Sequence, residues 1–146
     1  MGASALNDSN PSAIGEDVAS YSNYVGGSST WGIVAPGGDP SSNDPDLLHW
    51  IENITSSTAT IKTCTPDFGS ATGTIDCRVL IAGTSQATPH VVGAVALMLS
   101  VNPALTPAAV AQILCNTAVK FPDTRSGCGR LNVYRAMASV VGDPNP

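Results

Sequence analysis

The stretch from Ser85 to Val101, S-Q-A-T-P-H-V-V-G-A-V-A-L-M-L-S-V, constrains the fold more than any other part of the sequence. Between Val91 and Leu99 it is apolar at almost every position, which predicts a helix that is buried on all sides. A glycine inside a helix costs about 1 kcal/mol relative to alanine. Gly93 therefore predicts close packing against a neighbouring backbone, and the core should be built around this helix.

The residues that precede the apolar run place a serine at the start of the helix. Proline fits the first turn of a helix, so Pro89 puts Ser85 close to the N-terminus. Unpaired backbone N–H groups there favour negative charge, and Gly83 leaves room for a close approach to the backbone. Two interpretations are open: Ser85 caps the helix, as serines commonly do, or its hydroxyl faces a cleft as a nucleophile.

The rest of the pattern predicts strands before this helix and two further helices after it. Thr106 followed by Pro107 is a strong helix start, and this second helix should run to about Ala118. Short runs of apolar residues, or of alternating apolar and polar residues, indicate strands. One further short run, within a predicted loop, is interpreted as a helical turn. The predicted strands are Gly2–Leu6, Trp31–Ala35, Thr58–Cys64 and Thr72–Ala82 (the last two as a hairpin), the helical turn is Leu47–Asn53, and the third helix is Val133–Val140.

Charge and length exclude several classes of partner. The net charge is −5 and the six cationic residues are scattered, which argues against nucleic acid or an anionic membrane surface. No apolar stretch reaches the roughly 18 residues of a membrane span. The 146 residues suit one domain, 1–146. The opening M-G-A-S-A-L lacks the basic region of a signal peptide, and we expect the sequence to be an internal piece of a longer chain.

Four cysteines fall into two pairs of equal spacing, Cys64 with Cys77 and Cys115 with Cys128. Of the three possible pairings, this local one closes the shortest loops. Each bridge would add about 2–4 kcal/mol of stability, and bridges indicate an oxidising, secreted context. The alternative is four buried thiols. Zinc is disfavoured, because no C-x-x-C motif and no nearby histidine accompany the cysteines.

The segment G-T-S-Q-A-T-P-H-V-V-G-A-V-A-L, residues 83–97, is very similar to the nucleophile signature of subtilisin-like serine proteases, G-T-S-(small or Met)-A-(Ser/Thr)-P-H-V-(Ala/Val)-G. Other blocks resemble the family in the expected order. The resemblance covers residues 2–37 and 79–140, and residues 38–78 are a poorly matched insert. The further matching blocks are Gly2–Ala5, Ala19–Tyr24, Ile33–Gly37, Asn116–Ala118 and Gly127–Val133.

The resemblance implies an α/β fold with part of a subtilisin-like, mostly parallel sheet, a buried nucleophile helix and two C-terminal helices. It also implies that Ser85 is the catalytic nucleophile, in a loop formed with Gly83 and Thr84. The backbone N–H of Ser85 would then be one oxyanion donor. The expected parent function is a secreted endopeptidase that cleaves peptide bonds by acyl transfer.

The departures from the family are as informative as the match. In the family the triad comes in the order Asp, His, Ser, yet the D-(Thr/Ser)-G and H-G-T motifs are absent here, as is the segment with the oxyanion-hole Asn. Three hypotheses follow: a protease piece whose N-terminal half is a separate partner, a stand-alone small serine esterase-like hydrolase, or a non-catalytic fragment that serves as an interaction module. Loss of neighbouring strands should leave sheet edges and apolar surface exposed, so we expect self-association.

Neither histidine is an obvious base for Ser85. His90 follows it by five residues, which places it about 140° round the helix axis, and the resemblance implies a structural role. His49 lies in the insert and is the one other imidazole, so it is the candidate stand-in base. No metal or other cofactor is expected. The alternative is a weak calcium site at Asp39, Asp44 and Asp46, although a solvated acidic loop fits that spacing better.

Overall fold

We describe a computed structural model of the protein, which covers residues 1–6, 16–23, 32–39, 50–55, 63–66, 75–120 and 122–143. These ranges contain six strands and three α-helices, and a single 3₁₀ turn lies between the last two helices. The strands are β1 (Gly2–Leu6), β2 (Glu16–Val18), β3 (Val34–Pro36), β4 (Ile51–Ile54), β5 (Thr63–Pro66) and β6 (Ile75–Ile81), and the helices are α1 (Thr84–Val101), α2 (Pro107–Thr117) and α3 (Val133–Val141).

The first sheet carries the site and has the order β2-β1-β3. Strand β1 pairs antiparallel with β2 and parallel with β3, with Ala3 opposite Ala35. Residues 128–131 extend this sheet along the outer side of β3: the N–H of Cys128 donates to the Gly32 carbonyl at 2.7 Å, and that of Leu131 to the Val34 carbonyl at 2.8 Å. The C-terminal part of the chain therefore covers the β3 edge.

The second sheet has the order β4-β6-β5, and all of its pairs are antiparallel. The predicted hairpin within 58–82 is present as β5 and β6. The predicted helical turn at Leu47–Asn53 is wrong from Ile51 onward, because Ile51–Ile54 forms β4 and pairs with β6. Residues 47–49 lie outside the described part. Strand pairing with β6 outweighs the weak local helix preference, as β-branched isoleucines fit a pleated surface.

The expected α/β class is confirmed, with three helices packed about small sheets. In the described part, β3 pairs parallel with β1 and, at Val34, with Arg130, whereas the β1–β2, β4–β6 and β5–β6 pairs are antiparallel. Strands that follow each other along the chain after a short connection pair antiparallel, whereas a parallel pair needs a longer crossover. The connections from β1 to β2 and from β5 to β6 are of the short kind.

Helix α1 packs on β1, β3 and α3 through its core side. Small residues on that side let the helix approach the sheet closely, and Met98 fills the space farther along. The core residues of α1 are Ala87, Val91, Ala94 and Met98, and they join Ala3 and Ala35 of the sheet in one hydrophobic cluster. The prediction that α1 is buried in the core is thus confirmed for one side of the helix.

The other side of α1 is exposed, which corrects the prediction of a helix buried all round. Val92 is 61% exposed and Leu97 50% exposed, and Gly93 and Ala96 on the same side of the helix are exposed as well. A Cβ built on Gly93 would meet no atom within 4 Å, so the close packing predicted for this glycine is not found. We call Pro89, Val92, Gly93, Ala96 and Leu97 the open face of α1.

Helices α2 and α3 begin where the sequence places them. The Thr106 hydroxyl caps α2 by accepting from the N–H of Ala109 at 3.2 Å. The side-chain oxygen of Asn132 caps α3 by accepting from the backbone N–H of Arg135 at 2.9 Å. The predicted Cys115–Cys128 disulfide is present, with Cα atoms 5.0 Å apart. It ties α2 to the segment that extends the first sheet.

Candidate active site

Ser85 lies at the second position of α1, and Gly83 is the residue that caps the helix. The N-cap interpretation of Ser85 is therefore wrong, because a cap residue must precede the first helical one. The Ser85 side chain is exposed, and no residue of the described part hydrogen-bonds its hydroxyl. The fold thus presents this hydroxyl to solvent at the N-terminus of the central helix.

The first turn of α1 offers backbone donors beside that hydroxyl. The N–H groups of Gln86 and Ala87 donate to the Gly83 carbonyl at 3.0 and 3.3 Å. Within the described ranges nothing accepts from the N–H groups of Thr84 and Ser85, which are orphan donors of the helix start. Together with the positive end of the helix dipole, they make this a place where negative charge is stabilised.

The sequence predicted that Pro89 would lie in the first turn of α1, but the structure places it in the second turn. A proline has no N–H, and the Ser85 carbonyl therefore receives no helical hydrogen bond from residue 89. The Thr88 hydroxyl donates to the Thr84 carbonyl at 2.9 Å. The backbone around Ser85 is thus less constrained by helical bonds than the middle of α1.

The turn after β3 holds the residue that caps α1. The N–H of Gly83 donates to the Gly37 carbonyl at 2.8 Å, and the N–H of Gly37 donates to the Ser4 carbonyl of β1 at 2.9 Å. Gly38 has a φ of 81°, a left-handed conformation that favours glycine. The sequence Pro36-Gly37-Gly38 therefore does more than end a strand, since its hydrogen bonds connect the first sheet to Gly83 at the start of α1.

Tyr21 is a site residue that the sequence reasoning missed. Its half-buried hydroxyl lies 2.7 Å from the carbonyl oxygens of both Gly37 and Gly38. Burial, reinforced by the Asp39 carboxylate, raises the pKa of Tyr21 to about 12, while the backbone N–H of Gly83 acts in the opposite direction. The signal in the sequence was a tyrosine between serines, where a polar tip on an aromatic ring would seek a partner on folding.

The structure does not turn His90 towards Ser85. The His90 ring is exposed, and its Nδ1 lies 2.9 Å from the Gln86 carbonyl oxygen, so Nδ1 carries the proton and donates to the backbone of its own helix. His49 lies outside the described residues, and its role as a stand-in base stays a prediction. In the described part of the chain, no histidine therefore hydrogen-bonds the Ser85 hydroxyl.

The structure describes some of the remaining predicted site residues. Cys77 is disulfide-bonded, and its Cα lies opposite that of Cys64 in the β5–β6 register, which suits the predicted pairing. Of the acidic residues considered for calcium, Asp39 follows the β3 turn, whereas Asp44 and Asp46 lie outside the described residues. Calcium binding stays a prediction.

The described residues thus form an α/β arrangement in which an exposed serine and two backbone N–H groups without a described acceptor lie at the start of a central helix. Comparison with known proteins gives the family: a sequence profile of the subtilase family matches residues 3–136. The chain belongs to the subtilase family.

Individual relatives agree with this assignment. An extracellular protease of Xanthomonas campestris pv. campestris is 50% identical over 64 residues, which are 43% of this chain and 11% of the relative. An extracellular basic protease of Dichelobacter nodosus is 35% identical over 88 residues, or 56% of this chain and 15% of the relative. A solved protease of Pseudoalteromonas arctica PAMC 21717 superposes with a TM-score of 0.59 at 30% identity.

The chain is much shorter than these proteins. It spans 11% and 15% of the two curated relatives, and the superposition covers 84% of this chain but 32% of the solved one. In the described part, none of the helices combines the length and apolar character needed to cross a membrane.

Proposed function

We propose that this chain supplies the nucleophile for acyl transfer on peptide bonds in a subtilase endopeptidase, and that Ser85 is that nucleophile. The observation that carries the proposal is the exposed Ser85 hydroxyl at the N-terminus of α1, beside two backbone N–H groups without acceptors in the described part. Family membership and relatives that are extracellular proteases support it.

In this reaction Ser85 Oγ bonds to the substrate carbonyl carbon while its proton passes to a base. The carbonyl oxygen becomes an oxyanion, which the N–H of Ser85 at the positive end of α1 stabilises. Collapse of the tetrahedral intermediate breaks the C–N bond, and the protonated base returns its proton to the departing amine. Water then attacks the acyl-serine ester, releases the acid and restores the hydroxyl.

The base in this proposal comes from a polypeptide segment beyond the described residues. His90 donates to its own helix, and one other histidine, His49, is present in the 146 residues. Loss of triad residues in subtilisin still leaves a roughly 10³–10⁴-fold acceleration over water, which comes from its oxyanion hole and substrate binding. We therefore expect only weak proteolysis from the 146-residue chain alone.

The open face of α1 supports the existence of such a segment. Residues 85, 89, 92 and 96 are spaced four, three and four apart, so Ser85 and this face share one side of the helix. The face carries no charge, and the space over Gly93 is empty. We propose that the polypeptide that supplies the base packs here, and that the isolated chain covers the same face by self-association.

Active-site labelling tests the role of Ser85. The purified chain is treated with a fluorophosphonate probe and the modified residue is mapped by mass spectrometry. Ser85→Ala should abolish labelling, whereas Ser100→Ala should not, because Ser100 is an exposed serine of the same helix whose hydroxyl donates to the Leu97 carbonyl at 2.7 Å. Equal labelling of both serines would refute a special reactivity of Ser85.

The His49→Ala variant separates the protease proposal from the small-hydrolase alternative. If His49 were a stand-in base, the variant would lose esterase activity towards an activated ester such as p-nitrophenyl acetate. We expect its activity to equal that of the wild-type chain. A loss comparable to that of Ser85→Ala would instead establish a stand-alone hydrolase.

Sedimentation velocity tests the open face. Val92→Asp places a charge on it and should reduce self-association, whereas Val141→Asp on α3 should not, although both valines are 61% exposed. A wild-type chain that stays monomeric at all concentrations would contradict the proposal that the isolated chain self-associates.

Disulfides and extracellular relatives lead us further to propose that the protein is secreted.

A further inference from the structure

Tyr21 joins three parts of the chain that are far apart in sequence. It lies just after β2, and its hydroxyl reaches the carbonyl oxygens of Gly37 and Gly38 in the turn after β3, at 2.7 Å each. A phenol has one proton, so the two carbonyls share a single donor. The Gly37 carbonyl oxygen also accepts from the N–H of Gly83, the residue that caps α1, at 2.8 Å.

Gly37 is closely packed on the side where a Cβ atom would lie. A Cβ at this position would overlap the Ala3 side chain and would lie 2.9 Å from the Gly83 carbonyl oxygen and 3.0 Å from the Tyr21 hydroxyl oxygen. Since real Cβ atoms do not tolerate such approaches, the Gly37 backbone must lie close against Ala3, Gly83 and Tyr21, and glycine is the residue that permits this. Because Gly83 also donates its N–H to the Gly37 carbonyl at 2.8 Å, we expect a displacement of the turn to be passed on to Gly83.

The Tyr21 hydroxyl keeps its proton, and so remains a hydrogen-bond donor, at every pH well below its raised pKa. Burial is the largest cause that raises the pKa of Tyr21 to about 12, followed by the Asp39 carboxylate. A phenolate would repel the two carbonyl oxygens, so the raised pKa keeps Tyr21 in the neutral form that can donate to them. The contact is partly sheltered from water, where hydrogen bonds hold their geometry better than at the surface.

We propose that Tyr21 is a positioning residue for the nucleophile: its hydroxyl fixes the Gly37–Gly38 turn, the turn fixes Gly83, and Gly83 sets the start of α1 and with it the place of Ser85. The proposal rests on the proposed role of Ser85 for its functional meaning. Its geometric part, from Tyr21 to Gly83, stands on contacts that do not involve Ser85.

Amide hydrogen exchange measured by NMR on the 146-residue chain tests the geometric part. Tyr21→Phe removes the hydroxyl and keeps the ring, and Tyr134→Phe on α3 is the matched control because Tyr134 is 66% exposed. We expect Tyr21→Phe to accelerate exchange of the Gly83 amide about 2- to 10-fold, the range for one net hydrogen bond. The Leu131 amide, which donates to Val34 at 2.8 Å, serves as the internal reference and should not change.

A general loss of stability would accelerate both amides equally, and that result would overturn the proposal, as would an unchanged Gly83 amide. If Tyr21→Phe does not fold, the wild-type chain gives the answer. A slowly exchanging Tyr21 hydroxyl proton with a nuclear Overhauser contact to the Gly83 amide is expected, and a hydroxyl proton that exchanges rapidly with water would overturn the proposal.

The rate of fluorophosphonate labelling of Ser85 tests the functional part. It should fall in Tyr21→Phe and stay unchanged in Tyr134→Phe. Absence of labelling in the wild-type chain would show that Ser85 is not activated without the base from another segment, while the exchange result would still decide the link from Tyr21 to Gly83. An unchanged labelling rate in Tyr21→Phe, with Ser85 reactive in the wild type, would overturn the positioning role.

Discussion

Gly93 in the middle of α1 permits a sharp test of the open face. A glycine inside a helix is less favourable than alanine by about 0.5–1 kcal/mol, and a Cβ added here would meet no atom within 4 Å. Nothing offsets the helix preference in the isolated chain. Gly93→Ala should therefore stabilise it by about 0.5–1 kcal/mol, or roughly 1–4 °C in melting temperature for a domain of this size.

The matched control is Gly142→Ala at the end of α3. Its Cβ would also meet no atom within 4 Å, but Gly142 has a φ of 75°, where alanine is strained. This variant should be destabilised by about 1 kcal/mol. Urea unfolding followed by circular dichroism, at concentrations where sedimentation shows a monomer, measures both changes.

The two variants separate helix preference from packing. If Gly93→Ala leaves stability unchanged or lowers it while the chain is monomeric, something already packs against Gly93, and the reasoning about the open face is refuted. At higher concentration Gly93→Ala should weaken self-association, because the added methyl group keeps a second chain from approaching closely.

Three further predictions concern stability. Replacing Cys115 and Cys128 together by serine should lower the free energy of unfolding by about 2–4 kcal/mol, measured by urea denaturation; an unchanged midpoint would show that the bridge adds nothing. Thr106→Ala should cost about 1 kcal/mol in the same assay, with Thr106→Ser close to wild type, because the hydroxyl caps α2. The side-chain hydrogen bond from Arg125 is the main cause that lowers the pKa of Asp123. The stabilisation by the Asp123 carboxylate is therefore present above the ordinary carboxyl pKa range and is lost as the pH falls through the lowered pKa. Asp123→Asn should flatten the acid side of a curve of unfolding free energy against pH, and an acid side identical to that of the wild type would contradict this.

The sequence predicted the helices and the position of Ser85 well because these depend on local signals. Thr106 with Pro107 marked the start of α2, and the apolar run from Val91 placed α1 in the core. Local patterns hold such information, since capping and helical periodicity act within a few residues.

What failed depends on neighbours that are distant in sequence. The apolar character of Val92 and Leu97 predicted burial, but burial requires a partner element, and apolarity alone does not supply one. Ile51 joined a strand because β6 was available to pair with it. The role of Tyr21 was not visible either, because its partner turn lies 16 and 17 residues away along the chain.

The disulfide between Cys115 and Cys128 has a consequence for how this protein must be produced. It anchors the segment that lies along the outer edge of β3, the strand whose following turn holds Gly83. In a reducing cytosol this anchor would be absent, and the edge of β3 would more readily be left open to other chains. Material made in an oxidising compartment should thus differ from cytosolic material in solubility as well as in stability, even though both have the same sequence.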